Sequence, residues 1–172
     1  MKTLIYILLA ITLCSSCFAQ NSLKDGKHNY DGKTFAVTKN SYMGKTSFSV
    51  RVAGQFDNKP QHDLKDPNGL PMSRKDIHVD TNKVKEIIRN ILEPHTKELS
   101  ANKDQITLQF KFAQKDGSIE SIYYFLNGNT IINLKEIAKM DRQIKKQVKA
   151  TFTGTEHNNY FFINYGYVRV IF

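Results

Sequence analysis

The chain has 172 residues, of which 40% are hydrophobic and 24% charged, with a formal net charge of +9. That length suits one domain with an appended segment, and the apolar content supports a folded core and excludes a disordered or fibrous chain. Both cysteines, Cys14 and Cys17, fall in the N-terminal segment. A chain processed after Ala19 therefore has no disulfide, thiolate nucleophile or cysteine-based metal site.

Lys2, the unbroken apolar run Leu4–Cys14, and then Ser15, Ser16, Cys17 and Ala19 have the layout of a secretory signal peptide over residues 1–19. The run is shorter than the ~20 apolar residues that span a bilayer. This predicts export to the periplasm, the outer membrane or the medium, and a mature chain without a transmembrane helix. Cys17, preceded by Ser15 and Ser16, also resembles a bacterial lipoprotein acceptor, although Cys14 stands where that pattern has an aliphatic residue. Lipidation at Cys17 would give a peripheral membrane attachment.

Residues 20–33 are polar and punctuated by glycine, and are expected to form a flexible leader. Residues 34–79 are expected to hold a hairpin, strands Thr34–Thr38 and Ser47–Ala53, and then a long loop. Phe48, Val50 and Val52 alternate with Ser49 and Arg51, as in a half-buried strand. Asn40–Gly44 supplies the turn. Gly54–Lys75 contains Pro60, Pro67 and Pro71, and a connection of that length usually marks a linker, lid or binding loop. Ile77 and Val79 suggest a short strand.

Residues 80–172 carry the regular patterns. Thr81 or Asn82 can cap a helix whose apolar stripe is Val84, Ile87, Ile88, Ile91 and Leu92, and Pro94 should stop or kink it near Glu93. Ile106, Leu108, Phe110 and Phe112 then alternate as a strand. Asp116-Gly117 provides a tight turn into Ile119–Leu126. On that return strand the pattern puts Ile119, Ser121, Tyr123 and Phe125 on one face and Ile122, Tyr124 and Leu126 on the other. A second helix runs from about Asn133 to Lys149, and an aromatic strand, Tyr160–Phe172, closes the chain. The fold class this predicts is α+β: a small antiparallel sheet with two packed helices in the order helix-strand-strand-helix-strand, preceded by a hairpin and a long loop.

That order, with Phe110–Ile119 around the Asp-Gly turn, Leu134–Phe152 before the last strand and the apolar close Tyr167–Phe172, resembles the C-terminal domain of TonB-type periplasmic proteins over residues 80–172. Energy-transducing members of that family keep an uncleaved anchor and a long proline-rich spacer. This chain has four prolines in all, and Asp80-Thr81-Asn82 stands where the family commonly has Tyr-Pro. The resemblance implies no force transduction. It implies a sheet edge able to take an extended peptide, and it makes Tyr160, Phe162, Tyr165, Tyr167 and Arg169 the candidate partner-binding residues. The same aromatics also suit an ordinary core or a dimer seam.

Other chemistry is thinly represented. Arg142, Lys145, Lys146 and Lys149 form a basic patch on the predicted second helix, of the kind that attaches to anionic lipid or glycan and equally of an ordinary solvated face. His28, His62, His78, His95 and His157 make no paired metal-ligand spacing, and no phosphate-cradling loop, dinucleotide fingerprint or hydrolase nucleophile motif occurs. No cofactor, metal or nucleic-acid partner is expected. The leading expectation is a non-enzymatic envelope binding module for a protein or peptide partner. The alternative is a secreted hydrolase with Asp57, His62 and Asp63 in the long loop.

Overall fold

The computed structural model describes residues 23–56, 63–66, 68–69 and 71–172. The signal-peptide segment 1–19 with Cys17 lies outside them, as do Asp57, Pro60, His62 and Pro67.

Three strands come first: β1 (Gly26–Tyr30), β2 (Lys33–Tyr42) and β3 (Lys45–Val52). Residues 26–30, expected in a flexible leader, instead form an edge strand. Asp31 (φ 53°) and Gly32 (φ 71°) both take the left-handed conformation of a two-residue hairpin turn, so Tyr30 pairs with Lys33. Met43 and Gly44 repeat that turn between β2 and β3. The expected hairpin is thus the second half of a three-stranded meander.

A short strand β4 (Ile77–Val79) precedes helix α1 (Thr81–Leu92). The cap is Asp80, one residue before the expected Thr81 or Asn82, and its carboxylate accepts the Lys83 N–H at 2.8 Å. Val84, Ile87, Ile88 and Leu92 are buried. Pro94 ends α1 in a 3-10 turn, as expected, and the chain resumes as a short helix α2 (Thr96–Ala101) that buries Leu99. Strands β5 (Gln105–Phe112) and β6 (Ile119–Asn127) make the expected hairpin. Helix α3 (Leu134–Gln147) starts at a reciprocal capping box: Asn133 accepts the Glu136 N–H while Glu136 accepts the Asn133 N–H. Then come β7 (Ala150–Phe152) and the terminal strand β8 (Ile163–Ile171).

Six of the described strands form one antiparallel sheet in the order β1-β2-β3-β6-β5-β8, and β4 pairs with β7 beside it. The protein is α+β. β3 joins β6 through Ser47↔Asn127 to Val50↔Tyr124, so residues 34–79 and 80–172 share one sheet and one core. Both long helices cover the same face. α3 packs on β1 and β6, α1 packs on β8, and the two helices pack on each other. Phe35, Val37, Val50, Ile106, Leu108, Phe110, Ile122, Val168 and Val170 fill the space beneath them. The other face carries Thr107, Gln109, Tyr123, Phe125, Tyr167 and Arg169. A bulge at Lys111/Phe112 sets Phe112 opposite Ile119, and Ile119 is buried with the core instead of following Ser121 and Tyr123 as the strict alternation predicted.

Among the buried polar atoms without a hydrogen-bond partner, the Tyr124 hydroxyl has a consequence for stability. The Tyr124 hydroxyl is fully buried, and burial, reinforced by the Asp141 carboxylate, holds its pKa well above 10.0. Above pH 10 the unfolded chain therefore loses a proton that the folded chain keeps. The stability this group provides is present below pH 10 and is lost as pH rises toward the folded pKa. Denaturant titrations between pH 9 and 11 should show a steeper loss for the parent than for Tyr124→Phe; parallel curves would disprove the assignment.

Candidate functional site

β8 bonds to β5 on one side only. Gln105 stands opposite Ile171, Ile106 opposite Val170 and Leu108 opposite Val168, and the Phe172 N–H donates to the Asp104 carbonyl. In an antiparallel ladder the backbone groups alternate in direction. Those of Val168 and Val170 therefore point at β5, while those of Tyr167, Arg169 and Ile171 point out of the sheet edge. Among the described residues no strand meets them. The side chains of Tyr167 and Ile171 are 61% and 63% exposed, and that of Arg169 is exposed between them. Tyr167 leans on Phe125 in an edge-to-face contact at 6.2 Å.

The two edges of the sheet differ. β1, with the sequence Gly-Lys-His-Asn-Tyr, is five residues long and polar. Such an edge discourages further pairing. β8 is nine residues long, and Arg169 is its one charged side chain.

The five residues expected to make the edge divide into two groups. Tyr167 and Arg169 stand there. Tyr160, Phe162 and Tyr165 do not, because each is buried by the segments that flank the start of β8. Tyr160 bridges to Leu64, and its hydroxyl accepts the Met72 N–H at 2.7 Å. Tyr165 packs against Phe112, with the Arg74 guanidinium 4.7 Å above its ring. A bulge at Gly166, whose open side abuts Arg74, shifts the register there: Phe110 faces Tyr165 while Gln109 faces Tyr167. Phe162 lies on the outer face, edge-on to Phe56 at 4.9 Å. The residue missed is Ile171. The alternation of Val168 and Val170 with Arg169 was the signal that could have found it.

Phe56, Phe162 and Tyr123 surround the Lys111 ammonium at 4.3, 4.4 and 5.5 Å. Burial lowers its pKa, the Asp63 carboxylate opposes that shift and Arg51 adds to it. These cation–π contacts fasten the chain around Phe56 and Phe162 onto the outer face above Ser121, which is fully buried. Of the alternative hydrolase group, Asp63 alone is described. Its carbonyl accepts the Phe161 N–H at 2.7 Å.

The remaining titratable groups are dispersed. His95 reaches Glu136 at 3.0 Å, His28 reaches the Lys24 carbonyl at 2.7 Å and His157 stacks on Phe152. The described residues contain no group of three or more His, Cys, Asp or Glu side chains able to hold a metal ion. No described helix is long and apolar enough to cross a membrane. Of the expected basic patch, Arg142, Lys146 and Lys149 are exposed. Lys145 turns inward, its ammonium 3.1 Å from the buried Asp141.

No family model matches this sequence, and no curated protein matches it. Among solved structures the chain is similar to a DUF5043 family protein from Bacteroides uniformis ATCC 8492, with a TM-score of 0.64 and 10% sequence identity over 86% of this chain and 84% of that one. At that identity the likeness is one of fold.

Proposed function

We propose that this protein is a non-enzymatic binding module of the cell envelope that takes an extended segment of a partner protein as a new strand along β8. The contrast between the two sheet edges carries this reading. An exposed edge of this length and apolarity is a liability in a soluble domain unless something pairs with it. A visiting strand would satisfy the outward backbone groups of Tyr167, Arg169 and Ile171, and its alternate side chains would meet theirs. The order of elements shared with TonB-type C-terminal domains, and the secretory layout of residues 1–19, fit the same reading.

Proline separates edge pairing from every other role of β8. The Arg169 N–H points away from β5, so Arg169→Pro removes an edge donor without breaking the internal ladder. The probe is a capped eight-residue peptide of alternating valine and threonine with one central glutamate, added to isotope-labelled protein. Expected are amide shifts and slowed hydrogen exchange confined to Tyr167–Ile171, and at least tenfold weaker binding to Arg169→Pro at an almost unchanged melting temperature. Shifts centred elsewhere, or equal binding by the proline variant, would reject edge pairing.

A further inference from the structure

Helix α3 sorts its charges by sign. Its two carboxylates both point inward: Glu136 is 8% exposed and occupied by the capping box, and Asp141 is fully buried. Its exposed cations are Lys135, Lys139, Arg142 and Lys146. Their spacing of four, three and four residues confines them to an arc of about 60° along about 17 Å of helix. The stripe points away from the apolar side, Ile137, Met140 and Ile144, that packs on the sheet. Arg142 pairs with Asp31, and Lys149 continues the positive surface past the helix end. By contrast, α1 carries a mixed surface in which Lys83 pairs with Glu86.

The point where the chain enters the fold gives this stripe a direction. Leu23 is buried, and it lines a recess of about 380 Å³ together with Lys24, His28, Asn133, Leu134 and Lys135. The chain that precedes Leu23, with the lipid-acceptor candidate Cys17, therefore enters the domain at the N-terminal end of the cationic row. Five residues separate Cys17 from Leu23, which limits the distance between the two to about 20 Å.

We infer that the outer face of α3, with Lys24 beside it, is a docking surface for the anionic headgroups of a membrane. A row of cations beside the point where a chain meets a membrane adds electrostatic attraction to anionic lipid. A soluble polyanion would match the charge, but nothing would place it beside the chain's point of entry. In this orientation α3 faces the lipid. Its partner strands β1 and β6 lie above it, and β8 stays free at the far edge of the sheet.

The test uses the exported chain with its natural processing, mixed with phosphatidylcholine vesicles containing either no anionic lipid or 30 mol% phosphatidylglycerol. The anionic-to-neutral partition ratio is the readout, so a lipid anchor contributes equally to both arms. Each cation removed from the surface should lower that ratio about fivefold, and Lys135→Gln/Lys139→Gln/Lys146→Gln should lower it on the order of a hundredfold. Lys45→Gln/Lys65→Gln/Lys75→Gln makes the same change in net charge at exposed sites on other segments, and should leave most of the preference. Equal losses in both triple variants would show that only net charge matters and would overturn the assignment. So would a ratio near one for the parent, or capture of the parent by heparin without any preference for anionic vesicles.

Discussion

Gly117→Ala should lower the folding free energy by about 3 kcal/mol, the largest loss expected from such a change at any described glycine. Gly117 has φ +66°, a conformation that costs an alanine about 1 kcal/mol. It also lies against Ala150, whose N–H donates to the Gly117 carbonyl at 2.9 Å, and a β-carbon on Gly117 would overlap the Ala150 carbonyl. The neighbours cannot yield easily. The Asp116 carboxylate is held below its ordinary pKa by hydrogen bonds from the Ser118 hydroxyl and N–H, and the Ala113 N–H donates to the Ser118 carbonyl. Moving the turn would also pull on β7 and, through it, on β4. Gly44→Ala is the control. It has φ +74° with open space around it, so it should cost only the conformational part, about 1 kcal/mol. Equal losses in two denaturant titrations would mean that the close approach to Ala150 contributes nothing.

Asp141→Ala should cost about 3 kcal/mol, at the lower end for breaking a buried ion pair because its partners keep some contact with water. Its Oδ2 accepts from the Lys33 ammonium at 2.9 Å, and its Oδ1 faces Lys145 at 3.1 Å, in ion-pair range but outside hydrogen-bond alignment. Lys145 is 18% exposed, so deleting the carboxylate strands a cation with little solvent around it. Lys33 is 42% exposed, and Lys33→Met should cost less, about 1–2 kcal/mol, since it removes one hydrogen bond to the buried Asp141 Oδ2 while the Lys145 ammonium still balances the charge. The loss in Asp141→Ala should persist in 1 M salt, which screens surface charges and leaves a buried contact mostly intact. A loss below that of Lys33→Met would show that Asp141 is a tolerated burial with no stabilising role.

Legibility in the sequence followed the range of the interaction. The stripe from Val84 to Leu92, the stop at Pro94 and the Asp116-Gly117 hairpin are local patterns, and all three appear in the structure. The turn at Asp31-Gly32 has the same Asp-Gly pair as Asp116-Gly117, although there Gly117 alone takes a positive φ. The strand before Asp31 is polar, as an edge strand can be, so no apolar alternation marks it in the sequence. The pairing of β3 with β6 has no local signature, since nothing in Ser47–Val50 names Asn127–Tyr124 as its partner. The edge was half legible. A closing aromatic run predicts a strand, but the bulge at Gly166 decides which rings face inward, and the run itself does not mark that shift of register. Asp141 sits among lysines in the sequence and reads as part of a solvated face; only the packing of α3 on β1 and β6 puts it inside.

The joining of β3 to β6 also constrains how the chain can be made. Synthesis delivers β1, β2 and β3 first, with Phe35, Phe48 and Val50 ready to be buried and no helix yet available to cover them. The meander must wait, apolar side bare, until the residues through Asn127 have emerged, and it reaches lasting order only when α3 closes over it. A slow, chaperone-sensitive interval during synthesis, ended by the arrival of the C-terminal half, is therefore built into the topology of this domain.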